Sequence, residues 1–141
     1  MLQPYETITS STMDCTGTSL WAELAGANLQ DMIAMFGKPE TNDICYKVDV
    51  EWILQFTDSQ GEDRVFTIYN WKNGPNYDPS LDLEYVYEWN IGFDTRSSPE
   101  VQQELFYALT WYMTRKTTTS VRLSPAYSGP LQGVFILPGE F

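Results

Sequence analysis

Alternating apolar and polar positions are clearest over residues 46–57, and this period of two predicts a half-buried β-strand. Turn-forming residues occupy 58–61. The β-branched and aromatic segment 64–71 then predicts a hairpin partner. After a connection at 72–82 that contains two prolines, residues 83–93 alternate again and predict a third strand. The side chains predicted to share one face of this third strand are Tyr85, Tyr87, Trp89, Ile91 and Phe93.

Two other segments have the apolar spacing of helices. Residues 19–36 predict a helix that Gly26 and Asn28 divide, with Asn28 as the cap of the second piece. Ser98, followed by proline and glutamate, predicts the start of a helix that runs to about residue 116. The predicted fold class is therefore α+β, with an antiparallel β-meander of three or more strands packed against two helices.

The length of 141 residues is typical of a single domain, and we predict one α+β domain over residues 1–141. Within it, residues 1–18 are predicted to be an irregular arm and residues 117–141 a proline-containing tail. Short strands are predicted at 118–123 and 132–137, the second docked on the edge of the sheet. Hydrophobic residues make up 43% of the chain and aromatic residues 15%, a composition that argues against disorder.

The formal net charge of −11 is concentrated in the middle of the chain, where residues 40–104 carry 14 acids and four bases. This charge disfavours direct binding to nucleic acid or to an anionic membrane, because both depend on Lys and Arg. It permits a basic protein partner, since opposite charges steer association. The alternative is that the acidity serves only solubility.

The chain contains no histidine, which excludes Ser-His-Asp and Cys-His catalytic sites. Its two cysteines, Cys15 and Cys45, cannot complete a cysteine-rich zinc site. We expect buried, reduced structural thiols in an intracellular compartment, with a disulfide as the alternative. No signal peptide or membrane span is predicted. These observations favour a non-enzymatic protein without a cofactor or a metal.

The loop at residues 70–77 has the densest mixture of polar and aromatic side chains, and loops often carry function. Asn70, Trp71, Lys72 and Tyr77 are its candidate binding residues. The alternative is a long hairpin connection whose rings pack inward.

Four carboxylates, two on the first strand and two on the third, form a second candidate site: Asp49, Glu51, Glu84 and Glu88. Clustered carboxylates are suited to a hard cation, to acid–base chemistry or to imitation of a phosphate array. The alternative is a solvated sheet face. A third hypothesis is a pocket for a planar ligand, against the alternative of an aromatic face packed under helices. Its aromatic residues are Trp52, Tyr69, Trp71, Tyr85, Tyr87 and Trp89.

Several short motifs occur in a fixed order between residues 28 and 92: FGKP at 36–39, KVDVEW at 47–52, TIYNWKNGPNY at 67–77 and EWNIG at 88–92. In this order the chain resembles a small domain of uncharacterised proteins from bacteriophages and large DNA viruses. The resemblance covers about half of the chain and implies no activity. It implies a viral origin.

The predicted function is that of a viral or phage accessory protein which binds a host or viral protein through an acidic, aromatic-rich surface. Its sharpest form is an inhibitor of a nucleic-acid-processing or defence enzyme. One alternative is a structural component of a virus particle, whose arm and tail clasp neighbouring subunits. Another is a small-molecule or nucleotide binder that uses Lys72 as its anion contact. We expect the protein in the host cytoplasm, or in the virion if it is a structural component of the particle.

Overall fold

A computed structural model describes residues 8–42 and 45–126, together with the backbone of 135–137. Eight strands, two α-helices and a short 3₁₀ turn at Leu83–Tyr85 are found in these residues. In chain order, the strands and helices are β1 (Thr9–Ser10), β2 (Ser19–Ala25), α1 (Leu29–Phe36), β3 (Glu40–Thr41), β4 (Val50–Thr57), β5 (Asp63–Tyr69), β6 (Glu88–Phe93), α2 (Pro99–Lys116), β7 (Val121–Pro125) and β8 (Phe135–Leu137).

The strands form one antiparallel sheet in the order β1-β4-β5-β6-β2-β7-β8, and β3 also pairs with β4. Strands β4, β5 and β6 are neighbours in both sequence and space, as the predicted meander requires. Strand β2 lies between β6 and β7, near the middle of the sheet. The predicted α+β class, with a meander and two helices, is confirmed.

The first half of the predicted helix at 19–36 is wrong, because residues 19–25 form strand β2. A β-bulge explains the helical appearance of its apolar pattern. Leu20 pairs with Gly92 and Ala22 with Ile91, so Trp21 is an extra residue in the ladder. Trp21 and Ala22 are both buried although they are consecutive, which breaks the period of two. The second half is correct, and Asn28 caps α1 with a capping box that includes Asp31.

Both helices pack on one face of the sheet and enclose the hydrophobic core. Trp21 makes edge-on contacts with Phe93 of β6 and Phe106 of α2, at centroid distances of 5.7 and 6.0 Å. The ends of α1 are attached to the sheet by two indole N–H groups. Trp52 donates to the carbonyl of Gly37 at 2.7 Å, and Trp89 donates to that of Ala27 at 2.9 Å.

Helix α2 follows its predicted bounds. The Ser98 hydroxyl accepts a hydrogen bond from the backbone N–H of Val101, and Arg115 and Lys116 lie in the last turn. No helix in the described residues has an apolar stretch long enough to cross a lipid bilayer.

The third predicted strand is shorter than its alternating pattern suggests. Asp82 accepts a hydrogen bond from the backbone N–H of Glu84 and caps the 3₁₀ turn, so β6 begins only at Glu88. Tyr85 and Tyr87 therefore lie outside the strand and are 77% and 47% exposed. Their predicted place on one strand face with Trp89, Ile91 and Phe93 is wrong.

A part of each terminal segment joins the sheet. Ile8 is buried in the core and β1 pairs with β4, so the arm predicted at 1–18 is not wholly irregular. Strands β7 and β8 correspond to those predicted in the tail, and β8 lies at the sheet edge. The remaining predictions for the arm and tail, at residues 1–7, 127–134 and 138–141, lie outside the described residues. Cys15 and Cys45 are free thiols, half-buried rather than buried.

Candidate functional site

The loop at 70–77 is fixed from within by the side chain of Asn70, which is fully buried. Its Oδ1 accepts hydrogen bonds from the backbone N–H groups of Asp49 and Val50, at 2.8 and 3.1 Å. Its Nδ2 donates to Oδ2 of Asp49 at 2.8 Å. One carboxamide thus attaches the end of β5 to the start of β4.

The carboxylate of Asp49 holds the far side of the same loop. Its Oδ1 accepts a hydrogen bond from the backbone N–H of Asn76 at 2.8 Å, and the Asn76 amide donates to the carbonyl of Val48 at 3.0 Å. Gly74 is buried against this network. A Cβ at Gly74 would overlap the Asp49 carboxylate and come within 2.8 Å of Asn70 Nδ2. Glycine is needed at this position because the side chains of Asp49 and Asn70 approach its backbone too closely to leave room for a Cβ.

Asp49 and Asn70, both predicted as binding residues, are buried rather than presented at the surface. Asp49 is only 7% exposed, and both of its oxygens accept hydrogen bonds from the loop. The two residues position the loop, and the surface that they support is available for binding.

The predicted cluster of four carboxylates is not formed. Asp49 is buried, Glu84 lies in the 3₁₀ turn and Glu88 lies in β6, so the last two do not share a strand face. Among the described residues there is no group of three or more His, Cys, Asp or Glu side chains placed to hold a metal ion.

The rings of the loop point outward, contrary to the alternative in which they pack inward. Trp71 is 42% exposed and Tyr77 is 45% exposed. Lys72, between them, is exposed and adopts a left-handed backbone conformation with φ of 59°. Its backbone N–H donates to the carbonyl of Lys47 at 2.8 Å, which holds this strained turn against the segment before β4.

Trp71 and Tyr77 belong to a continuous surface of rings that also includes Tyr46, Lys47 and Tyr69, here called the aromatic ladder. Tyr77 stacks on Tyr46 with centroids 6.1 Å apart. The Lys47 ammonium lies 5.4 Å from the ring centroids of both Tyr46 and Trp71. Trp71 then meets Tyr69 edge-on at 6.2 Å. The aromatic ladder thus leads from the loop onto the sheet.

The sheet face opposite the helices, here called the open face, is not covered by either of the described helices. A row of paired residues crosses it: Glu51 pairs with Tyr69, Tyr69 with Asn90, and Asn90 with Glu23. Partial burial, and then the nearby carboxylate of Glu40, raise the pKa of Glu51 above its usual range. With Glu88 beside Asn90 in β6, the open face carries glutamates on three strands, β2, β4 and β6.

A depression of about 480 Å³ lies on the open face where it meets the loop. A second depression of about 260 Å³ adjoins it, shares Glu23, Glu88 and Asn90, and is also lined by Arg122 and Ser124. Residues of β2, β5, β6 and the loop line the larger one: Leu20, Glu23, Tyr69, Trp71, Asn73, Glu88 and Asn90.

Comparisons with protein-family models, curated proteins and solved structures give no match for this chain.

The six aromatic residues predicted to line one pocket are divided among three places. Trp52 and Trp89 are buried under the helices, with their rings edge-on at 5.4 Å. Tyr69 and Trp71 line the large depression, whereas Tyr85 and Tyr87 border a separate one beside the start of α1. The aromatic face packed under helices is thus found for Trp52 and Trp89, while a pocket for a planar ligand beside Tyr69 and Trp71 stays a prediction.

Several residues of the site are absent from the sequence prediction: Leu20, Glu23, Tyr46, Asn73 and Asn90. The apolar pattern at 19–36 predicts a helix for Leu20 and Glu23, so it gives no sign of their position beside Gly92 and Asn90. Tyr46 precedes the alternating segment, and only its stacking on Tyr77 reveals its place in the aromatic ladder.

Proposed function

We propose that this protein is a non-enzymatic binding protein that holds a basic protein partner on its aromatic ladder and open face. The observation that carries the proposal is the exposure of three large rings in one connected surface: Tyr46 at 61%, Trp71 at 42% and Tyr77 at 45%. Tyr and Trp are the residues most enriched at the energetic centres of protein interfaces. Exposed clusters of this kind mark interaction sites.

The charge of the open face supports a basic partner. Glu23 and Glu88 are exposed beside the ladder, and Glu51 lies across the sheet from them. Among the described residues, the ion pairs join Arg64 to Asp58 and Glu62, and Arg96 to Asp94. None of them neutralises these glutamates. An acidic surface attracts a basic partner and raises its association rate at low salt.

The resemblance of residues 28–92 supports an accessory role in a phage or a large DNA virus, with a host or viral protein as the partner. The residues of the motifs also support the binding proposal, because they build the loop. Asp49, Asn70 and Gly74 hold it internally, and Trp71 and Tyr77 are presented outward.

The two alternatives receive less support. A role in a virus particle needs arms that clasp other subunits, whereas β1, β7 and β8 pair within this chain's own sheet. A small-molecule site built on Lys72 needs that residue in a concave pocket. The large depression is lined by Trp71 but not by Lys72.

Affinity capture with matched variants tests the proposal. Wild-type protein, the double variant Trp71→Ala/Tyr77→Ala and the control Tyr107→Ala are used as baits in lysate at low and high salt, and captured proteins are quantified by mass spectrometry. Tyr107 is 46% exposed on α2, so its loss removes a similar ring from the other side of the molecule. The partner is then purified, and its dissociation constant is measured for each bait.

We expect wild type and Tyr107→Ala to retain a basic protein at low salt and to release it at high salt. The double variant should bind the same protein at least tenfold more weakly. Equal binding by the double variant would place the interface elsewhere. Absence of any specific protein at either salt would favour the virus-particle alternative.

A further inference from the structure

The large depression beside Trp71 combines two kinds of wall. Tyr69 and Trp71 meet at an interplanar angle of 78° and form an aromatic corner. Glu23 and Glu88, on adjacent strands β2 and β6, contribute carboxylates to the same depression. Aromatic faces and carboxylates both attract organic cations, through the ring quadrupole and through charge.

The two carboxylates of this depression are available to a ligand. Neither Glu23 nor Glu88 takes part in an ion pair within the described residues, and Arg122 of the adjoining depression forms none either. The Asn90 side chain makes no hydrogen bond to another described residue. Lys47 contacts Trp71 but is not among the residues that line the depression. The lining residues themselves carry no positive charge.

We propose that this depression binds the guanidinium group of an arginine side chain in the partner's basic segment. The inference rests on the proposed function and names the chemical group that the site recognises. A guanidinium is planar, stacks on aromatic rings and donates paired hydrogen bonds to a carboxylate, whereas an ammonium is a compact, strongly hydrated charge. In this same chain, the guanidinium carbon of Arg115 lies 3.4 Å from the ring centroid of Trp111.

A metal ion fits the depression less well than a guanidinium. The described residues contain no group of three or more metal-ligating side chains, and Ca²⁺ takes six to eight oxygen ligands. The rings of Tyr69 and Trp71 would contribute nothing to such an ion. They provide stacking area for a planar organic cation.

An NMR titration of the isotope-labelled chain tests the proposal directly. The probes are N-acetyl-arginine amide, N-acetyl-lysine amide and magnesium chloride, all at constant ionic strength. The indole N–H signal of Trp71 is assigned by its loss in Trp71→Phe. The indole signals of the buried Trp52 and Trp89 show that each variant keeps its fold.

We expect the arginine probe to shift the Trp71 signal saturably, with a dissociation constant on the order of 1 mM. The lysine probe is expected to bind at least about threefold more weakly. The double variant Glu23→Gln/Glu88→Gln should weaken arginine binding about tenfold, because charge-assisted hydrogen bonds are lost. The control Glu100→Gln, which changes an exposed acid on α2, should bind as wild type does.

Three results would overturn the assignment: no saturable shift with the arginine probe, equal affinity for both amides, or an equal response to magnesium. Failure of this proposal is distinguishable from failure of the proposed function. If the captured partner still requires Trp71 and Tyr77 while the arginine probe gives no shift, the docking surface stands and its recognition of arginine does not.

Discussion

The side-chain amide of Asn70 donates a hydrogen bond of 2.8 Å to the carboxylate of Asp49, a residue 21 positions earlier in the chain. The same side chain also accepts from two backbone N–H groups at the start of β4. This pair joins the exposed loop to the sheet, so the stability of the fold and the position of Trp71 depend on the same contacts.

Replacing Asn70 by alanine should therefore destabilise the protein strongly. Asn70→Ala leaves the N–H groups of Asp49 and Val50 and the Asp49 carboxylate without their buried partner, and we expect a loss of about 2–4 kcal/mol in the free energy of unfolding. Urea denaturation measures it. Asn90→Ala is the matched control on the open face and should change stability by less than about 0.5 kcal/mol. Similar losses in both variants would contradict the structural role of Asn70.

Gly74 should not tolerate even a methyl group. Gly74→Ala places a Cβ against the side chains of Asp49 and Asn70, and the hydrogen bonds of these two buried side chains leave them little space to adjust. We expect a loss of about 2–3 kcal/mol, measured by thermal and urea unfolding. Gly61→Ala is the control, because Gly61 has a φ of 81° but no atom within 4 Å of its Cβ position. That variant should show only the cost of backbone strain, about 1 kcal/mol.

The carboxyl group of Glu51 should destabilise the folded protein at neutral pH. Partial burial and the nearby Glu40 raise its pKa, so the folded state binds this proton more tightly than the unfolded state. Stability from this group is present at low pH and falls as the pH rises through the raised pKa. We expect Glu51→Gln to increase the urea midpoint at pH 7 and to leave it unchanged at pH 3. Glu40→Gln should give a smaller gain, and a gain of equal size at both pH values would contradict this explanation.

The carboxylate of Asp58 should stabilise the folded protein at neutral pH, which is the opposite of the effect expected for Glu51. Burial opposes the shift, but hydrogen bonds from the backbone N–H groups of Glu62 and Gln60 and from Arg64 outweigh it and hold the pKa of Asp58 below its usual range. Its stabilisation is complete above the unfolded value of about 3.9 and is lost as the pH falls through the lower folded value.

Asp58→Asn tests this contribution. The variant should have a lower urea midpoint than wild type at pH 7, and the difference should become small at pH 2, where the wild-type carboxyl is protonated. An equal difference at both pH values would indicate that the Asp58 carboxylate contributes only through shape.

The sequence pattern was sufficient where one periodicity persisted over a whole element. The alternation at 50–57 and the cap at Ser98 identified β4 and α2 because each apolar stripe packs on the core without interruption. It failed at β2, where a bulge at Trp21 places consecutive apolar residues on one face and imitates helical spacing.

The sequence predicts only part of the candidate site, because several of its residues come together through contacts between segments that are distant in the chain. The loop at 70–77 was identified from its composition. Alternation with Val48 and Val50 predicts that Asp49 lies on the open face. It is buried instead, because the hydrogen bond from Asn70 compensates the cost of burying its carboxylate. Glu23 and Glu88 meet only because β2 pairs with β6, and no local pattern in the chain encodes that pairing.

The central position of β2 has a consequence for the order in which the sheet can form during synthesis. The strands β4, β5 and β6 can pair as soon as each emerges, because each is joined to the next by one connection. Strand β2 is made before all of them, yet its two neighbours are β6 and the much later β7. Its edge toward β7 must wait for residues 121–125, and until residues 88–93 have been made its edge toward β6 is open as well. During that interval the nascent chain exposes an unpaired apolar strand, which is the condition under which chains aggregate or need a chaperone.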